Sequence, residues 1–189
     1  MPMPDTRRGA SRKQSAKMAF CGMMVALTVV LMLSGGLIPI ATYCAPMAAG
    51  LLLLPILLEY GKRTAWTAFA AAALISLMLD ADKEAAFFYL FLGYYPILKW
   101  ELERIRKRPL RIVVKLALFT VATVLMYSVM GFVLGMDAVI AEFREMGRVM
   151  LALFMVFFDC CMLLYDRVVA QIAVLYVKRL RPRLRFLQR

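Results

Sequence analysis

The stretch "MAFCGMMVALTVVLMLSGGLI", residues 18–38, runs for 21 residues without a charged side chain. As a helix it would be about 31 Å long at ~1.5 Å per residue, and the hydrocarbon core of a bilayer is ~30 Å thick. A basic segment, "MPMPDTRRGASRKQSAK", precedes it. A cleaved signal peptide would need a shorter apolar region and small residues at the cut. The nearest cleavage-like stretch, "ATYCA", places Tyr43 or Cys44 there instead. The run therefore reads as an uncleaved transmembrane span, and the rest of the chain can be read outward from it.

The chain is 63% hydrophobic and 19% charged, whereas soluble domains are roughly 45–50% apolar and about 25% charged. The excess lies in long runs, which points to an integral membrane protein. Five more runs follow, at about 44–59, 64–79, 85–98, 111–135 and 148–177. Gly35, Gly36 and Pro39 favour unwinding after the first; Pro46 fits a helix start, and Pro55 predicts a kink. The alanines of 64–79 predict close packing inside the bundle. Tyr89, Tyr94 and Tyr95 suit either an interface or a pocket. The expected fold is an all-α bundle of six transmembrane helices, residues 18–178, between basic cytoplasmic tails at 1–17 and 179–189.

Charge sets the expected orientation. With both ends inside, 21 of the 24 basic residues fall on the inner side, leaving Lys83, Arg144 and Arg148 outside. That asymmetry follows the positive-inside rule for a multi-pass protein of the plasma (inner) membrane. The inner set includes Lys99 and Lys115. The net charge of +12 then reflects topology and attraction to anionic lipid, with no nucleic-acid partner expected.

Several chemistries are set aside. There is no histidine, and none of the four cysteines, Cys21, Cys44, Cys160 and Cys161, forms a CxxC pair. No GxSxG, HExxH or phosphate-binding glycine loop is present. Asp159 and Asp166, seven apart on one helix, lie ~10 Å apart along it, too far for an aspartyl-protease pair. The chain is expected to be neither an enzyme nor a holder of cofactor or metal.

Three constellations remain. Asp159 falls near mid-bilayer and, because a central aspartate costs roughly 2.5–3.5 kcal/mol to insert, should turn inward, towards cargo or another helix. Asp166, on the same stripe, reads as an inner-interface residue beside Arg167. "LDADKEAAFFY", residues 79–89, crowds Asp80, Asp82, Lys83 and Glu84 into an outer loop, above Phe87, Phe88 and Tyr89. This is either an ordinary polar turn or the rim of an outward-facing pocket, with "PIATYCAP", residues 39–46, as its cover. On the first span, Ala19, Gly22 and Ala26 form a small-residue stripe suited to packing within the bundle or to docking another membrane protein.

Six spans, both ends inside and a small-residue first span resemble the substrate-binding S components of energy-coupling factor (ECF) transporters. "EYGKRTAW" and "GYYPILK" look like signatures of a related uncharacterised six-span bacterial group. The resemblance implies a subunit that captures a vitamin or similar micronutrient from outside. It implies too a transmembrane coupling protein and cytoplasmic ATPases as partners, contacted through the first span. It places substrate-binding residues at Tyr43, Asp80, Glu84, Tyr89 and Asp159, and docking at Ala19, Gly22 and Ala26; Met23 stands where a second alanine would be expected. The alternative is a non-catalytic multi-span scaffold of a cell-shape or envelope complex, holding lipid or cytoplasmic partners through residues 99–115 and the C-terminal "KRLRPRLRFLQR".

Overall fold

Prolines set the joints of this chain. Proline lacks an N–H, and its ring meets the carbonyl four residues back. In the computed structural model, which describes residues 6–35, 41–80, 82–133 and 147–181, α2 (Ala41–Leu51) ends four residues before Pro55. α3 (Leu53–Tyr60) then resumes the path. In the same way α5 (Lys83–Leu92) stops four residues before Pro96, and α6 (Tyr95–Leu102) restarts with that proline in its first turn. The α2–α3 helix is thus interrupted at Leu52, ahead of Pro55, where the sequence leads one to expect a kink. Pro46, expected to open a helix, instead lies inside α2, because α2 begins five residues earlier at Ala41. Residues 41–46, read as part of a covering loop, are therefore helical; 39 and 40 lie outside the described residues.

Four further helices complete the architecture. α1 (Thr6–Gly35) extends through much of the segment read as a tail. α4 is Lys62–Leu79, and α7 (Arg108–Ser128) continues into a π turn at Val129–Val133. α8 (Arg148–Leu175) ends in a second π turn, Tyr176–Leu180. Between α3 and α4 a single residue, Gly61, reverses the chain at φ 82°, a left-handed value that disfavours any residue with a Cβ. Its N–H reaches the Leu57 carbonyl at 3.1 Å, and its carbonyl accepts from Ala65 at 3.2 Å.

Ala65, Ala68, Ala72 and Ala73 are buried where α4 meets its neighbours, as the alanine-rich stretch predicted. Around them the core is filled by Met32, Leu53, Leu54, Phe88, Phe119 and Met162. Four segments are long and apolar enough to cross a membrane: Gln14–Gly35, Ala41–Tyr60, Arg108–Gly131 and Val149–Arg179. Their outer faces carry Met23, Leu27, Val30, Val121, Leu125, Val156, Phe157 and Leu164, all exposed. So much contiguous apolar surface suits lipid rather than water.

Polar contacts gather at the two ends of the α2–α3 rod. At the Tyr60 end Lys62 pairs with Glu101, Arg104 with Glu101 at 3.3 Å, and Arg181 with Glu59 at 3.2 Å. Lys17 stands 5.5 Å over the Tyr60 ring. At the Ala41 end Thr42 and Tyr43 meet Asp82 and Glu84.

Candidate functional site

The turn joining α4 to α5 is built by its own charged residues. Asp82 caps α5, its Oδ1 accepting from the Ala85 N–H at 3.1 Å, while Thr42 donates to its other oxygen at 2.9 Å. Asp80 Oδ1 accepts from the Asp82 N–H at 3.2 Å. Lys83 turns back to donate to the α4-end carbonyls of Leu77 and Asp80, at 3.1 and 2.8 Å. Helix ends leave donors and acceptors that must be met. Asp80, Asp82 and Lys83 meet them here, so for these three the polar-turn reading is the one the geometry follows.

Glu84 does something else. Its Oε1 accepts from the Tyr43 hydroxyl of α2 at 2.6 Å and from the Tyr127 hydroxyl of α7 at 2.8 Å. The two hydroxyls stand 3.3 Å apart. Phe88, one turn along α5 from Glu84, meets the Tyr43 ring edge-on at 5.5 Å and Phe158 of α8 at 5.8 Å. The result is a tyrosine–glutamate cluster with one carboxylate at its centre and aromatic rings beside it, assembled from α2, α5 and α7 with α8 behind.

Of the five expected binding residues, Tyr43 and Glu84 come together here, Asp80 stays in the adjoining turn, and two lie elsewhere. Tyr89 points into the core beside Phe69, at 5.5 Å between ring centres. Its hydroxyl is buried without a hydrogen-bond partner among the described residues. Asp159 lies on α8, partly exposed, and accepts one hydrogen bond, from Thr120 of α7 at 3.2 Å. That is the interhelical alternative. Asparagine would keep the acceptor, so Asp159→Asn should change thermal stability by less than about 1 kcal/mol, measured by melting the purified protein. Tyr127 was not nominated; it sits in an apolar run, and only the α7 packing turns it to Glu84.

The larger correction concerns the partners of Asp166. Expected to pair with Arg167, it is instead the hub of a charged network between α6, α7 and α8. Lys99 of α6 donates to its Oδ1 and to its backbone carbonyl, both at 2.5 Å. Lys115 of α7 donates to Oδ2 at 2.7 Å and the Tyr95 hydroxyl to Oδ1 at 2.5 Å. Glu103 lies 3.3 Å from Lys99. Two lysines and two carboxylates leave the cluster neutral, which is what low-dielectric surroundings require. Lys99 and Lys115, counted among the inner-side cations, are only 3% and 4% exposed. Arg167, the expected local partner, is exposed. The shared stripe of Asp159 and Asp166 holds: both face α7, which supplies Thr120 to one and Lys115 to the other.

Ala19, Gly22 and Ala26 are exposed, and a Cβ placed on Gly22 would meet nothing within 4 Å. The stripe is thus not used for packing within the described chain. Asp137, Glu142, Glu145 and Arg144 lie outside the described residues. Among the described residues no group of three or more His, Cys, Asp or Glu side chains is placed to hold a metal.

Together these features define an all-helical protein with four helices able to cross a membrane, with a tyrosine–glutamate cluster at one end and a buried lysine–aspartate network within. No protein-family model, curated protein or solved structure matches the chain.

Proposed function

We propose that this chain is the membrane-embedded capture subunit of an ECF-type micronutrient uptake transporter. In this reading α1, α2–α3, α4, α5–α6, α7 and α8 each cross the bacterial plasma membrane, with both ends in the cytosol. The observation that carries it is Glu84, a carboxylate bonded by tyrosines from two other helices, at the end away from most of the basic residues. A donor-rich small molecule would enter by exchanging the Tyr43 and Tyr127 hydroxyls for its own N–H or O–H groups. The chain has no nucleotide-binding motif, so energy comes from partner ATPases, through a coupling protein docked on the open Ala19–Gly22–Ala26 face.

The test is native mass spectrometry of the gently solubilised full-length protein, recording retained small molecules and co-purifying subunits. A small molecule should be retained, and Glu84→Gln should reduce its occupancy at least about tenfold, since a charge-assisted hydrogen bond contributes ~1.5–3 kcal/mol. Asp159→Asn should leave it unchanged. Recovery of the protein with neither small molecule nor ATPase partners would overturn the capture role and leave the scaffold reading in its place.

A further inference from the structure

A groove of about 560 Å³ opens on the apolar exterior between α5–α6 and α7, walled by Phe91, Tyr94, Ala117, Leu118, Val121 and Leu125. Tyr94 is held at its edge by stacking on Trp66, 5.7 Å between ring centres. We propose that this groove holds one acyl chain of an anionic glycerophospholipid whose phosphate is bound by Arg111 with Lys107 and Arg108.

Three observations choose this occupant. The first is register. Arg111, Leu118 and Leu125 recur every seven residues along α7, within ~20° per step of one stripe. Arg111 thus stands directly above the groove. The second is length. Fourteen residues separate Arg111 from Leu125, about 21 Å of helix. One leaflet with its headgroups is half of ~40–45 Å, about 20–22 Å. A lipid with its phosphate at Arg111 therefore ends its chain at the foot of the groove.

The third is charge. Arg106, Lys107, Arg108 and Arg111 have no ion-pair partner among the described residues. The carboxylates nearest in sequence are engaged elsewhere, Glu101 by Lys62 and Arg104 and Glu103 by Lys99. An anion from outside the chain is the complement this cluster needs, and basic sites beside membrane helices recognise acidic headgroups.

The inference does not depend on the capture role. It is tested by titrating the full-length protein in detergent with phosphatidylglycerol and with phosphatidylcholine of the same chains, counting bound lipids by native mass spectrometry. Phosphatidylglycerol should bind at least about fivefold more tightly, and Arg111→Gln should remove about that factor, as for one cation near an anionic surface. Arg111→Lys should keep the preference. Ala117→Phe, at an exposed groove position, should weaken both lipids alike. Equal binding of the two lipids by the unaltered protein, an unchanged preference in Arg111→Gln, or undiminished binding in Ala117→Phe would each overturn the assignment.

Discussion

Asp166→Asn should destabilise the protein by about 3–5 kcal/mol, the cost of removing one partner from a buried ion pair. Asparagine still accepts from Tyr95, but Lys99 and Lys115 would keep their charges with no carboxylate between them, and only Lys99 would retain a second one in Glu103. The melting temperature of the protein in detergent and its monodispersity on gel filtration measure the loss. A triple replacement, Asp166→Leu with Lys99→Met and Lys115→Met, should recover most of it. Exchanging a whole buried charge cluster for apolar groups is often neutral or stabilising, whereas breaking one is not. If Asp166→Asn melts with the parent, the network is solvated and its interlocking of α6, α7 and α8 is wrong.

Gly93→Ala should also be strongly damaging, at about 1–3 kcal/mol. Gly93 sits at the joint between α5 and α6. A Cβ there would lie 2.5 Å from the Tyr89 carbonyl oxygen and 2.6 and 2.7 Å from two atoms of the Tyr89 ring. The ring is fully buried and has no room to yield. Alanine's helix propensity would return at most ~1 kcal/mol, which does not offset a clash with both backbone and core. Tyr89→Phe is the contrasting control. It deletes a buried hydroxyl that has no partner among the described residues, so its melting temperature should equal or exceed the parent's. A stable Gly93→Ala variant would mean that α5 and α6 can move apart at this joint.

Much of the architecture was legible because its causes are local. A run such as residues 18–38 is apolar whatever it packs against, and Pro55 breaks a helix through its own ring. The alanine face of α4 could be read because small side chains have few uses other than close approach. The break at Pro96 has the same local cause and could have been found by the same rule. The start of α2 could not, since Pro46 is tolerated near a helix start and gives no sign that the helix begins five residues earlier.

The candidate site was legible in part. Residues 79–89 announced a polar turn, and Tyr43 and Glu84 do meet. Their meeting is a long-range event across 41 residues, and Tyr127 joins from 43 residues beyond Glu84. Asp159 drew attention through its apolar neighbours, yet its contact is one hydroxyl on the next helix.

The sequence by itself determined that the chain is helical with membrane-length apolar segments, that its helix is interrupted ahead of Pro55, and that its cations are unevenly spread along it, because hydrophobicity, ring chemistry and charge belong to the residues wherever they lie. Only the tertiary structure decided which charges are interior. Lys99 and Lys115 look like any other residues of a basic inner loop, and they are buried because Asp166, 67 and 51 positions away, is brought between them. An ion's environment is set by its neighbours in space, and in this chain those neighbours come from three different helices.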